Sequence, residues 1–140
     1  MTGSTSDASW ALQQAVFAAL CANAEVQAAL GTPPRLYDAV PREAVFPYAV
    51  LGDGQESDWS TATEQGGEHT LAIHIWSRGS GHREAKQIAG AIRDGLTGAA
   101  LVLTGFALIG IGFLSADYAR QLDGETWRAS LRFRAVTEPR

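Results

Sequence analysis

Three histidines, one cysteine and a scatter of carboxylates are the groups in this chain that could do chemistry. His69 and His74 lie in HTLAIHIWS, a stretch with strand character. Their odd separation sends the two side chains to opposite faces of a strand, so they cannot chelate one ion together. His82 stands apart, in the turn before a helix. Three unrelated histidines is the simpler reading. The run DGQESD, 53–58, is acidic but lacks the ligand order and central glycine of a calcium loop. It reads as a solvated acidic loop. No G-x-S-x-G elbow is present. Cys21 sits among alanines in a helical pattern with no activating neighbour, so a packed thiol is expected and a nucleophile is not. GFALIGIG has spaced glycines, but no helix opens after it, as a dinucleotide fingerprint requires. These residues supply no catalytic, metal or cofactor constellation.

A different signal comes from side chains that alternate along strands. In DWSTATEQGGEHTLAIHIWSR, Asp58 to Arg78, His69, Leu71, Ile73 and Ile75 share one face. Thr70, Ala72, His74, Trp76 and Arg78 share the other. In the last strand, Trp127, Ala129, Leu131, Phe133 and Ala135 point one way, and Arg128, Arg132 and Arg134 point the other. Arginines at this spacing repel unless carboxylates or an anion sit opposite. Two readings stay open: a solvated outer sheet face, or a surface that meets acidic neighbours or passing DNA. Tryptophan with arginine is the composition of an interface core. Trp59, in the polar stretch Asp53–Glu68, is either an exposed anchor or a loop side chain folded back on the sheet.

Composition narrows the class. The chain has 140 residues, which fits one domain over 1–140, with 46% apolar and 19% charged residues. Its net charge is −4 and its pI near 5.3, which disfavours free-standing nucleic-acid affinity. A single cysteine allows no intrachain disulfide. MTGSTSDASW shows no basic segment leading into an apolar run, so no signal peptide is expected. GAALVLTGFALIGIGFLSAD is glycine-broken and β-branched, and reads as buried strand rather than a membrane span.

The elements that must position these faces follow from punctuation and period. Ser6 or Asp7 can cap a first helix running to about Cys21, with Leu12, Val16, Phe17, Leu20 and Cys21 on one broad side and Trp10 at the rim. Asn23 and Gly31 bracket a second, AEVQAAL. RLYDAVP is a weak edge-strand candidate, and FPYAVLG, 46–52, is a firmer strand. The long loop Asp53–Glu68 then leads to the strand that pairs back as a hairpin. Ser80 is expected to start a helix whose stripe is Ala85, Ile88, Ala89, Ile92 and Leu96. Leu101–Arg120 gives one bent strand or two shorter ones, and Asp123–Gly124 a hairpin turn. The order is α-α-β-β-α-β-β. It predicts an α+β fold, a mainly antiparallel β-sheet of about four strands with helices packed on one face.

Taken in order, RLYDAVP, FPYAVLG, DWSTATEQGGEHTLAIHIWSR, the Ser-Gly-His-Arg-Glu-Ala-Lys helix start and LRFRAVTEP resemble one family. It is the tail terminator, or tail completion, family of tailed phages and gene transfer agents, formerly a domain of unknown function. The resemblance covers the chain from the first helix to Pro139 and rests on the ordered set, above all the DWST-to-WSR block.

That resemblance implies a structural virion-type protein, not an enzyme, with no cofactor. It implies a homo-hexameric ring that caps the tail tube, stops tube polymerisation and helps join tail to head. Its partners would be copies of itself, the tail tube protein, head–tail connector or adaptor proteins, and DNA passing through the channel without specific binding. No membrane is involved. The protein would assemble in the bacterial cytoplasm and end in the neck or tail of a phage-like particle. Asp58, Trp59 and Glu64 become candidates for contact with a neighbouring ring. His74, Trp76 and Arg78 become candidates for a subunit contact or the channel. Arg128, Arg132 and Arg134 become a charged band, since a ring multiplies each charge. Two other roles compete: a head–tail adaptor of the neck, and a small-molecule-binding or enzymatic α+β domain.

Overall fold

The computed structural model describes residues 5–140, with side chains from Ala8 onward. The chain begins with α1 (Thr5–Ala22) and α2 (Ala24–Leu30). Strands β1 (Leu36–Tyr37), β2 (Tyr48–Asp58) and β3 (Gly67–Ser77) follow, then α3 (Arg83–Leu96), β4 (Phe106–Arg120) and β5 (Trp127–Pro139). One sheet collects the strands in the order β1-β2-β3-β5-β4. Only the β1–β2 pairing is parallel. The α+β fold is as expected, with five strands rather than four. The added strand is β1, which pairs only at Ala49 and Val50.

Alternation explains the layering. Ile73 and Ile75 of β3 lie in register with Leu131 and Ala129 of β5. With Phe133 they form the sheet side of the core, all fully or nearly fully buried. The α3 stripe Ala85, Ile88, Ala89, Ile92 and Leu96 packs on this face, as its spacing predicts. Beside it, α1 contributes Leu12, Val16 and Leu20 together with Ala8, Ala11 and Ala15. The small alanines let the helix approach the layer closely. Phe17, expected on the buried side of α1, is instead 40% exposed, and Trp10 is 56% exposed. The caps expected for α2 are present: Asn23 Oδ1 accepts from the Glu25 and Val26 amides, and Gly31 turns the chain at φ 96°. The cap expected at Ser6 or Asp7 falls on side chains outside the described residues.

Three boundaries differ from expectation. The helix expected from Ser80 begins at Arg83, because Gly81 takes φ +150° and breaks the turn ahead of it. Glu84 anchors its first turn by accepting from the buried Ser77 hydroxyl at 2.6 Å. The polar stretch Asp53–Glu68 is not one long loop. β2 runs on to Asp58 and β3 starts at Gly67, so only residues 59–66 form the tip. DGQESD is therefore ladder, not loop. Leu101–Arg120 resolves into a turn and a single strand, β4, with register shifts at Leu108/Gly110 and Phe113/Ser115. No helix among the described residues is long and apolar enough to cross a membrane.

Candidate functional site

All three helices pack on one side of the sheet, so the even-numbered side chains of β3 and β5 face away from them. No other element of the described chain covers that side. The centre of this open face is a row in which His74 lies opposite Ser130, and Ser130 opposite Asp117. His74 Nδ1 is 2.7 Å from Ser130 Oγ. Its ring fits over Gly52, where an added Cβ would stand 2.5 Å from His74 Cδ2. The glycine is therefore required by the histidine's position. Burial, and then the nearby Arg128 and Arg132 charges, hold the His74 pKa below the usual imidazole value, while Asp53 pulls the other way.

The arginine ladder flanks this row. Arg128 is in register with Trp76, Arg132 with Ala72, and Arg134 with Thr70. The three are not equivalent. Arg134 Nε donates to Glu68, and its guanidinium lies over the Trp59 ring, 4.8 Å from the centroid. Arg128 Nε is buried without a hydrogen-bond partner. Arg132 is exposed and joins no ion pair among the described residues. Asp117 lies on β4 between the levels of Arg128 and Arg132 but forms no ion pair with either.

The sequence-predicted residues thus divide. Trp59, His74, Trp76, Arg128, Arg132 and Arg134 come together on the open face. Trp59 folds toward Arg134, yet half of it remains exposed. Asp58 turns the hairpin tip, its Oδ1 accepting from the Ser60 hydroxyl at 2.6 Å. Glu64 is exposed in the same tip, where its carbonyl accepts from the Thr61 amide. Arg78 lies just past the end of β3. Its guanidinium stacks 4.1 Å over Phe46, and its Nε donates to Thr126 Oγ1 and pairs with Glu125.

Glu68 was not among the predicted site residues, although its even position on β3 places it with Thr70 once the strand is extended. Ser130 was missed as well. On the opposite side, His69 is buried against Thr137, Nε2 to Oγ1 2.9 Å, and burial lowers its pKa. It lines a small cavity of about 160 Å³ under α1, together with Glu56, whose Oε2 lacks a partner and whose pKa burial raises. Cys21 packs against the core, and burial raises its pKa too. Among the described residues no group of His, Cys, Asp and Glu gathers to hold a metal ion.

An α+β layer with one polar and aromatic sheet face left uncovered by the described chain defines the class of fold. Comparison with known proteins gives that class a family. The model of the tail completion protein gp17 family matches residues 14–138. The tail completion protein gp17 of Bacillus phage SPP1 is 27% identical over 89 residues, which span 64% of this chain and 66% of that protein. A chain in the virion of a native gene transfer agent particle superposes with TM-score 0.85 at 37% identity, covering 93% of this chain and 96% of that one. The structure of bacteriophage SPP1 gp17 superposes with TM-score 0.63 at 25% identity, covering 91% and 89%. The chain belongs to the tail completion protein gp17 family. It is a structural tail protein of phage-like particles and not an enzyme.

Proposed function

We propose that copies of this chain form a hexameric ring that caps the tail tube, stops its polymerisation and helps join tail to head. The observation that carries this reading is the open sheet face. It presents Trp76, His74 and the three arginines with no covering element, while the hairpin tip holds Trp59 beyond its end. A face of this kind needs protein neighbours. Family membership points to the tail, and likeness to a chain of a gene transfer agent virion points to an assembled particle. Trp59, with Asp58 and Glu64 in the tip, is the anchor toward a neighbouring ring. Arg128 and Arg132 line the subunit contact or the channel, where DNA passes without sequence-specific contact. Its partners are further copies, the tail tube protein and head–tail connector proteins. It assembles in the bacterial cytoplasm and stays in the neck.

The test is deletion of the gene in the producing host followed by electron microscopy. Headless tails of uncontrolled length are expected. Tails of normal length detached from heads would replace termination with an adaptor role. Normal joined particles would remove both.

A further inference from the structure

The sheet has two unfinished edges. On one side β1 covers only Ala49 and Val50 of β2, so Leu51–Asp58 has an unpaired outer edge. On the other, β4 is the last strand. Gly98 donates to the Ile111 carbonyl and Leu103 bridges Phe106, so its first part is covered and Gly112–Arg120 is left open. Open edges of this length invite another strand. We infer that these two half-edges are complementary, and that β4 of one copy docks antiparallel beside β2 of the next. The inference rests on the ring reading and names its subunit contact.

Three features support it. First, polarity: successive neighbours from β2 to β4 alternate in direction, so β4 runs opposite to β2, and a sheet continued by rotation keeps antiparallel pairing. A contact between two different surfaces closes into a ring when the rotation it imposes closes on itself. Second, apolar shape. A groove of about 400 Å³ lies between α1 and the β1–β2 side, lined by Trp10, Phe17 and Leu51. The β4 side instead projects Leu114, 52% exposed at its bulge, and Tyr118. Third, charge. Asp38 and Asp53 of the β1–β2 side are exposed and join no ion pair among the described residues. Lys86 and Arg93 lean over the β4 rings of Tyr118 and Phe113, at 4.9 and 4.0 Å, also without an acidic partner. Asp117 is on β4 but faces the arginine ladder.

Lys86 is the only lysine in the sequence, which makes a direct test possible. Zero-length carbodiimide cross-linking of particles assembled from mixed light and heavy-isotope protein should join Lys86 of one copy to Asp38, Asp53 or Asp58 of another. Cross-copy links from Lys86 only to other elements, or only to other proteins, overturn the contact while leaving tube capping intact. Should tail length stay normal in the deletion strain while these links form in wild-type particles, the ring contact stands and the capping reading falls. Where no cross-copy link forms, Leu114→Glu and Phe17→Arg decide. Both positions are exposed, so the fold should survive. Incorporation into particles should fall about tenfold for each. Wild-type incorporation of both variants overturns the proposal.

Discussion

The two faces of one sheet obey opposite rules. Phe133 and Arg132 are neighbours on β5, yet one is fully buried under α3 and the other is exposed on the open face. On the covered face the β3 imidazole, His69, is bonded to Thr137 and shares the small cavity under α1 with Glu56. The open face concentrates guanidinium groups, and it compensates them unevenly. Arg134 has Glu68 and the Trp59 ring, Arg128 is buried with Nε unpaired, and Arg132 has neither. A fold optimised only for its own stability has no reason to keep that imbalance. Compensation missing among the described residues is what the proposed ring contact would supply.

The largest effect that can break this contrast is packing. Phe133→Ala should cost about 3–5 kcal/mol in urea denaturation, because a large cavity opens in the core. Arg132→Ala should stay within about 0.5 kcal/mol. If Arg132→Ala proved as costly as Phe133→Ala, the open face would be a second core and the docking argument would end.

Next comes docking. Trp59→Ala and Trp76→Ala should leave the chain folded while incorporation into tails is lost. Each aromatic anchor is worth about 2 kcal/mol. Circular dichroism reports the fold, and immunoblots of purified particles report incorporation. Unaltered incorporation of the double variant would mean that other surfaces carry the contact.

The same contrast explains what could be read from sequence. The faces of β3 and β5 were legible because the ladder between them runs without a bulge and the extra residues of the outer ladders fall on β2 and β4, so alternation along β3 and β5 is unbroken. The α3 stripe was legible because it meets one flat partner. The far half of β2 was not legible. There the residues are exposed apart from half-buried Glu56, so Asp53–Asp58 shows no apolar alternation, and its strand state comes from pairing with β3. In β4 the bulges reset the period, which hid Leu114 as an exposed side chain. Phe17 was misplaced because the apolar arc of α1 is broad, and alanines, not the aromatic, took the buried side. Glu68 was hidden by the same error that turned strand into loop.

A smaller effect sharpens the open face. Gly52→Ala should cost about 1–3 kcal/mol, since its Cβ would meet the His74 ring and displace it from Ser130. In a His74→Ala background that penalty should largely vanish, which a double-mutant cycle measures. A penalty unchanged in that background would locate the strain in the backbone instead.

The smallest effect is a pH dependence with a sign on each side of the helix-covered seam. His69 and His74 both have folded pKa values below the ordinary 6.5, chiefly through burial. The unfolded chain therefore binds their protons first. Stability should be full above that ordinary value and fall as pH drops through it toward the lower folded values. His69→Gln, which can keep a bond to Thr137, should flatten part of that slope. Glu56 works in the opposite sense. Its folded pKa is raised by burial, so its charged form costs stability once pH rises past the ordinary carboxylate value toward the raised one. Glu56→Gln should therefore raise the melting temperature at neutral pH and leave it unchanged below the ordinary 4.5. A gain that persisted at acid pH would trace to hydrogen bonding by the amide in the cavity under α1, and not to relief of the charge.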